Sequence, residues 1–127
     1  MIPADLKYSR EHEWVKVQGD TATIGITDYA QGELGDVVFV ELPQTGKVVK
    51  ATDECAVVES VKTISHVYSP LSGTVSDVNS ALTTASDAIN KDPYAGGWIF
   101  KIKMSQPKEL DGLLDAQSYG ALIQQKA

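Results

Sequence analysis

Lys62 is the residue whose type and position most clearly suggest chemistry, because two strand-like segments flank it. Residues 56–61 and 65–69 are rich in strand-forming side chains, so residues 60–63 are predicted to form the turn of a hairpin. A lysine at or beside such a tip extends its flexible stem and amine into solvent. An enzyme that acylates an amine needs this accessibility. The same spacing also fits an ordinary solvated lysine, which hairpin tips often carry.

Other residues that could do chemistry do not form a recognisable set. The histidines, the acids and the single cysteine, Cys55, lack zinc spacing such as Cys-x-x-Cys or His-Glu-x-x-His, so we predict no metal site. No nucleophile–base pair stands out, which disfavours an enzyme in its own right. Cys55 is predicted to be a small strand residue rather than a reactive thiol. One cysteine also cannot form an internal disulfide, as is usual in a reducing compartment.

Length and charge narrow the class of protein. The 127 residues fit one domain spanning 1–127. Seventeen acidic and eleven basic residues give a net charge of −6, which argues against nucleic acid and anionic membranes and is compatible with basic protein partners. No apolar run reaches the roughly 18 residues of a membrane span. The chain starts without a signal or transit pattern, so we expect a cytoplasmic protein, or a mitochondrial matrix protein if this is a mature processed form.

The segments that must position Lys62 are mostly short strands. Residues 13–17 and 21–26 alternate apolar and polar side chains around Gly19-Asp20, as in an antiparallel hairpin. Thr27 is predicted to cap a two-turn helix that Gly35 ends. Further strands are predicted at residues 36–41, 56–61, 65–69, 73–78 and 98–103, whereas residues 82–97 are expected to be mostly loop.

A faint repeat suggests two similar halves. Residues 43–48 and 70–75 share the pattern Pro-x-x-Gly-x-Val, with a strand on either side of each copy, as in a flattened barrel or sandwich. Pro-x-x-Gly is also a common turn signal. After Met104 the pattern becomes helical, and short helices are predicted to start near Pro107 and at Asp115. These helices would cover an edge or open end of the sheets.

Four blocks of the sequence resemble the glycine cleavage H-protein family. Glu59-Ser60-Val61-Lys62, followed by residues 69–75, is similar to the family's lipoylation segment. The other three blocks, in chain order, are His12-Glu13-Trp14-Val15, residues 25–31 with 34–43, and residues 93–98 with 101–102. Ordered blocks at family-like spacing are far more specific than any one of them. The resemblance implies a mainly β, lipoyl/biotinyl-type hybrid barrel-sandwich with short C-terminal helices.

The resemblance also implies a function. In this family a lipoate-attaching enzyme joins lipoic acid covalently to the lysine that corresponds to Lys62, and the protein is a non-catalytic carrier. Glycine decarboxylase (the P protein) leaves an aminomethyl group on the arm, and aminomethyltransferase (the T protein) passes the one-carbon unit to tetrahydrofolate. Dihydrolipoyl dehydrogenase (the L protein) reoxidises the dithiol. Tethering makes each visit effectively intramolecular, and the loaded arm is sheltered in a surface cleft.

The resemblance assigns roles to three further residues. Glu13 would lie near the sheltered arm, where its carboxylate could hold the cationic aminomethyl group; a strand-exposed acid is the alternative. Glu59 would serve recognition by the lipoate-attaching enzyme. His66 departs from the family, because many members have an acid there that could contribute to arm docking or to that recognition. Alternation places His66 with Ile64 and Tyr68, which favours a plain surface role.

Three alternatives remain open from the sequence. A lipoyl relay protein, which hands lipoate to 2-oxoacid dehydrogenase complexes, would have the same features, and one protein could do both. A biotin carrier shares the hairpin lysine, but such domains usually flank it with methionines, whereas Lys62 lies between Val61 and Thr63. In an unmodified interaction module, Lys62 would be an ordinary surface residue. The mass of the native protein distinguishes these readings, since lipoyl and biotinyl groups differ in mass.

Overall fold

The structure, a computed structural model, describes residues 2–126 and is built mainly of β-strands. The strands are β1 (Lys7–Tyr8), β2 (Glu13–Gln18), β3 (Thr21–Ile26), β4 (Val37–Glu41), β5 (Val48–Val49), β6 (Glu54–Ser60), β7 (Ile64–Tyr68), β8 (Gly73–Val78) and β9 (Phe100–Met104). The helices are α1 (Asp28–Leu34), α2 (Ala88–Lys91) and α3 (Ala116–Lys126), with 3-10 helices at Ser80–Thr83 and Pro107–Gly112.

Two antiparallel sheets pack around one main core. The larger has six strands in the order β1-β2-β3-β9-β8-β5, and the smaller has three in the order β4-β6-β7. The main core draws fully buried side chains from both sheets, among them Ile24, Phe100 and Ile102 from the larger and Val58 from the smaller. Within the described residues, neither sheet closes into a barrel. The predicted mainly β fold with short helices is confirmed.

The two copies of the sequence repeat lie side by side. The amide of Gly46 donates to the carbonyl of Val75 at 2.7 Å, and the amide of Val75 donates to the carbonyl of Lys47 at 2.9 Å. Val48 then pairs with Thr74 in the antiparallel β5–β8 ladder. Each copy therefore satisfies backbone groups of the other, which accounts physically for the shared turn-then-strand pattern.

The first helix is formed as predicted. The Thr27 hydroxyl accepts a hydrogen bond from the amide of Ala30 at 3.2 Å and caps α1. Gly35 ends the helix with a positive φ of 77°, and its amide donates to the carbonyl of Gln31 at 3.0 Å. This short helix leads directly into β4, the strand that pairs with β6 of the predicted hairpin.

The second half of the chain differs in detail from the prediction. Residues 82–97, expected to be mostly loop, include the end of a 3-10 helix and the short helix α2. Their apolar anchors are single residues, Leu82 and Ile89, which are buried in the main core and leave no periodic pattern to detect. The strand predicted from Trp98 begins at Phe100. The helix predicted near Pro107 is 3-10 rather than α.

The C-terminal segment covers the edge of the larger sheet, as predicted. Tyr8 of β1 exchanges two backbone hydrogen bonds with Leu114, at 2.8 and 2.7 Å. The Tyr119 ring of α3 stacks on Tyr8 with 4.8 Å between ring centroids. The Tyr119 hydroxyl also contacts the Thr27 hydroxyl at 2.7 Å and Nδ1 of His12 at 2.8 Å. The helix therefore fixes the strand that carries the His12-Glu13-Trp14 motif.

Gly25 provides a test of how tightly this layer is packed. A methyl group at Gly25 would lie 2.8 Å from three atoms of the buried Trp14 indole, whose Nε1 donates to the carbonyl of Pro93. We expect Gly25→Ala to lower the free energy of unfolding by about 1–3 kcal/mol, because the indole must move. Gly32→Ala is the control: nothing lies within 4 Å of the added group, and alanine should stabilise α1 by up to about 1 kcal/mol. Urea denaturation measures both, and equal effects would contradict this account.

Candidate functional site

Lys62 lies on the turn between β6 and β7, as the sequence predicts. The last strand pair is Glu59 with Ile64, and the amide of Ser60 donates to the carbonyl of Thr63 at 2.8 Å. Lys62 itself is exposed. The amide of Val61 donates to the carbonyl of Asp36 at 3.0 Å, which joins the turn to the residue before β4. The lysine is therefore accessible on a turn whose backbone is held from two sides.

Ser60 is a residue whose role the sequence reasoning missed. Its side chain is buried, and its hydroxyl accepts hydrogen bonds from the amides of Lys62 and Thr63 at 3.3 and 3.1 Å. The hydroxyl also lies 3.2 Å from the carbonyl of Thr63, to which it can donate. A serine at the first position of a turn commonly makes such local bonds, and this signal was available in the sequence. Ser60 holds the backbone so that the Lys62 side chain is free.

A groove begins beside Lys62 and leads away from the turn. It has a volume of about 370 Å³ and lies between β7 on one side and β2, β3 and α1 on the other. Thr63 and Ile64 line its near end, and Glu11 and Glu13 its far end. Its walls include the apolar side chains Ile26, Leu34, Val58 and Val67. A long, mainly hydrocarbon chain attached to Lys62 fits such a lining.

Glu13 is buried, so the alternative prediction, that Glu13 is an exposed acid on a strand, is wrong. Its side chain is only 2% exposed. One carboxylate oxygen accepts a hydrogen bond from the amide of Tyr68 at 3.2 Å, and the other accepts from the hydroxyl of Ser9. Ser9 in turn accepts from the amide of Glu13 at 3.0 Å. Two elements, β7 and the loop before β2, therefore hold this carboxylate in place.

Burial sets the charge state of Glu13. Desolvation raises the pKa of the Glu13 carboxyl to about 7, against the smaller lowering effects of the bonds from Ser9 and Tyr68. Both of these donors are neutral. The carboxyl is therefore poised between its protonated and ionised forms near neutral pH, and a cation brought beside it would favour ionisation. The sequence could not show this, because the burial comes from residues distant along the chain.

A second cavity lies on the other side of Glu13. Its volume is about 480 Å³, and residues from β1, β7 and the segment before α3 line it, including Tyr8, Tyr68, Pro70 and Leu113. Glu11 and Glu13 border both this cavity and the groove. Glu13 therefore borders two adjoining spaces, one of which starts beside the Lys62 turn.

His66 has a partner that sequence reasoning did not find. Its Nδ1 lies 2.7 Å from a carboxylate oxygen of Glu54, and both side chains are about half exposed. His66 also borders the groove. It is exposed like Ile64, two residues before it, as alternation predicts. The interaction with Glu54 crosses between β6 and β7 and depends on their register, which the sequence alone did not fix.

Glu59 is half-buried in the middle of the smaller sheet, near the turn. It pairs with Ile64 of β7 on one side and with Phe39 of β4 on the other. It is separate from the groove residues around Glu13. The four predicted site residues therefore fall on two surfaces: Glu13 and His66 border the groove, whereas Glu59 lies beside Phe39 and Ile64 near the Lys62 turn.

Metal-binding and reactive-thiol chemistry receive no support from the described residues. Within residues 2–126, no three or more His, Cys, Asp or Glu side chains are grouped so that they could hold a metal ion. Cys55 is buried, and burial raises the pKa of its thiol to about 11, so it is protonated at neutral pH. No helix in the described part of the chain is long and apolar enough to cross a membrane.

An exposed lysine on a hairpin turn, backed by two packed antiparallel sheets, is the architecture of a prosthetic-group carrier domain. Residues 6–126 match the family model described as "Glycine cleavage H-protein". The chain belongs to this family of lipoyl carriers, which are components of the glycine cleavage system. The family predicted from the sequence is therefore confirmed.

Individual relatives agree over nearly the whole chain. The chain is 55% identical over 124 residues to a glycine cleavage system H protein of Escherichia coli O7:K1, covering 97% of this chain and 96% of that protein. It is 53% identical to the H protein of Symbiobacterium thermophilum, covering 98% and 97% of the two chains. The crystal structure of the H protein from Mycobacterium marinum superposes with a TM-score of 0.89 at 37% identity, covering 97% of this chain and 99% of that one.

The raised pKa of Glu13 leads to a testable effect on stability. Because the pKa is raised from 4.5 to about 7, folding favours the protonated acid, and this contribution is complete below pH 4.5 and lost as the pH rises through 7. We expect the parent protein to lose roughly 3 kcal/mol relative to Glu13→Gln between pH 4.5 and pH 8. Denaturant titrations over this range measure the difference.

The matched control for this measurement is Glu41→Gln, which removes an exposed acid of β4. This variant should keep the pH dependence of the parent. If Glu13→Gln and Glu41→Gln both follow the parent curve, Glu13 does not titrate as described.

Proposed function

We propose that Lys62 carries lipoic acid in amide linkage and that this protein is a non-catalytic carrier in glycine cleavage. A lipoate-attaching enzyme would supply the modification. When bound, a lipoyl group would supply a dithiolane sulfur to carry the aminomethyl group between glycine decarboxylase (the P protein) and aminomethyltransferase (the T protein), and dihydrolipoyl dehydrogenase (the L protein) would reoxidise it. The observation that carries the proposal is the exposed Lys62 turn, from which a groove leads to the buried Glu13.

The residues present fit a lipoyl group. The Lys62 side chain passes over Gly35, where an added Cβ would lie 3.5 Å from Cε of the lysine, so the start of the arm is directed along the α1 side of the groove. Ile26, Leu34 and Ile64 offer apolar contact to a hydrocarbon chain. Glu13 offers a negative charge at the far end. An apolar chain with a cationic end would therefore meet complementary groups along the groove.

Glu13 would hold the positive charge of the cargo. A buried carboxylate without a cation is costly, which is why burial raises its pKa. An ammonium group placed against it restores ionisation and forms a charge-assisted hydrogen bond. The bonds from Tyr68 and Ser9 fix the carboxylate, so little reorganisation is needed when the cation arrives. Glu13 would thereby keep the cargo away from bulk water.

His66 and Glu54 would form part of the groove wall on the β7 side. The imidazole contacts Glu54 at 2.7 Å, so a carboxylate lies beside His66. Many H proteins have an acid at the position of His66 itself. The Glu54 carboxylate would therefore give this wall a negative charge similar to the one that the acid gives in those proteins.

The relatives named above are bacterial, which supports a cytoplasmic location for this carrier.

Replacing Lys62 tests the central assignment. Lys62→Arg keeps the charge but gives the attaching enzyme no amine to acylate, so we expect no lipoyl mass and no glycine–CO2 exchange. An exposed substitution should change the free energy of unfolding by no more than about 0.5 kcal/mol. Lys108→Arg, at another exposed lysine, is the control and should behave as the parent. A lipoyl mass retained by Lys62→Arg would overturn the assignment.

Replacing Glu13 tests whether this acid protects the aminomethyl cargo. We expect Glu13→Gln to be lipoylated normally but to lose its aminomethyl cargo about tenfold faster, since a hydrogen bond to a charged group contributes roughly 1.5–3 kcal/mol. Release of ammonia or formaldehyde from the loaded protein, in the absence of the T protein, measures the lifetime. Glu41→Gln should release at the parent rate. Equal rates for Glu13→Gln and the parent would restrict Glu13 to a structural role.

A further inference from the structure

Exposed apolar side chains are concentrated around the Lys62 turn. In the part of the chain that the structure describes, six large apolar side chains are exposed, and four of them belong to this turn and to β4 beside it. These four, which we call the hairpin patch, are Val38 (54% exposed), Phe39 (53%), Val61 (69%) and Ile64 (56%). The other two, Val17 and Val48, lie on strands of the larger sheet. Such clustering marks an interaction surface more often than scattered apolar residues do.

The register shows that the patch is one continuous surface. Phe39 pairs directly with Glu59, and Glu59 pairs directly with Ile64, so the three side chains form a row across β4, β6 and β7. Directly paired residues in antiparallel strands face the same side of the sheet. Val61 adjoins this row at the turn. In this row, one large apolar side chain lies on each side of the half-buried Glu59.

A bulge in β4 enlarges the patch. Successive residues of a regular strand face opposite sides, yet Val38 and Phe39 are both exposed. The pairing of β4 with β6 shifts register between Val37 and Phe39, and this shift accounts for the exposure of both. Bulges are common beside functional sites, where they redirect a side chain. The chain therefore exposes an additional apolar side chain, Val38, on the strand beside the Lys62 turn.

The charges around the patch define its partner. Glu59 lies within it, and two exposed acids lie at the ends of β4: Asp36 directly before the strand and Glu41 as its last residue. Lys62 is the one cation within the described turn, and its charge is lost on acylation. A complementary surface would present apolar side chains together with lysine or arginine opposite Glu59.

We propose that the hairpin patch is the docking surface for the enzyme that acylates Lys62. This inference rests on the proposed modification of Lys62. The attaching enzyme must bring its donor to Nζ of Lys62, where a new C–N bond forms, the donor's leaving group departs and the amine loses a proton. It must therefore contact the surface around the turn. Enzymes that act on the distal dithiolane meet the far end of the arm and have no comparable need to contact Phe39 or Ile64.

The test compares two threonine substitutions in the patch with one outside it. Phe39→Thr and Ile64→Thr, singly and together, remove apolar area and keep strand-forming side chains. Val48→Thr is the matched control, because Val48 is 74% exposed on β5 of the other sheet. Purified lipoate-attaching enzyme, with lipoate and ATP, modifies each apo-protein over a range of apo-protein concentrations. Phe39→Leu, which keeps an apolar side chain, should behave as the parent.

We expect KM for the apo-protein to rise roughly tenfold in the double variant, with kcat within about twofold of the parent. Glu59→Gln should also raise KM and weaken its dependence on salt. Val48→Thr should leave both constants unchanged. After exhaustive modification every variant should carry the lipoyl mass, which shows that each variant is folded. Fully lipoylated Phe39→Thr, whose side chain does not line the groove, should also support glycine–CO2 exchange at the parent rate.

Two outcomes would overturn the proposal. An unchanged KM in the double variant would exclude the patch as the docking surface of the attaching enzyme. An unchanged KM together with slow glycine–CO2 exchange by fully lipoylated Phe39→Thr would assign the patch to the decarboxylase instead. Failure of the proposed function itself is distinguishable, because the parent protein would then gain no lipoyl mass at all.

Discussion

The antiparallel pairing of β6 with β7 is the constraint on which the site depends. It brings Lys62 to a turn at one end and places the amide of Tyr68 against Glu13 at the other. Ser60 satisfies the turn amides, so the backbone there is held without using the lysine side chain. A slip of one residue would exchange the two faces of the hairpin and bury residues that now face solvent. The lysine and the buried acid are thus positioned by one register.

Glu13 has a cost in stability that the proposed function would explain. Its burial opposes ionisation, and the hydrogen bonds from Ser9 and Tyr68 offset only part of that cost. A glutamine could occupy the same space without a charge to desolvate. The acid is understandable if a cation reaches this position during function, because the cation then supplies the missing stabilisation. The surrounding structure, including the Tyr119 contacts that hold the preceding loop, tolerates the cost in the meantime.

The sequence predicts those features that local patterns determine. The Lys62 hairpin, the Thr27 cap, the Gly35 stop and the cap at Asp115 all follow from residue type and spacing, and the structure contains each. The burial of Glu13 was not predicted, because it depends on Tyr68, 55 residues away. The Glu54–His66 contact and the bulge in β4 were missed for the same reason: each depends on how separate strands align.

Under the proposed function, the groove and the hairpin patch lie mainly on opposite sides of one hairpin and meet at Ile64, which borders both. Val58 and Val67 turn toward the core and the groove, where a bound arm would be shielded. Phe39, Glu59 and Ile64 form the cross-strand row near Lys62, with Phe39 and Ile64 open to solvent. Alternation along β6 and β7 would therefore separate most of the residues that shelter the arm from those that the attaching enzyme contacts. Because both surfaces meet at the Lys62 turn, the attachment point would be open to an enzyme while the far end of a bound arm would lie in the groove.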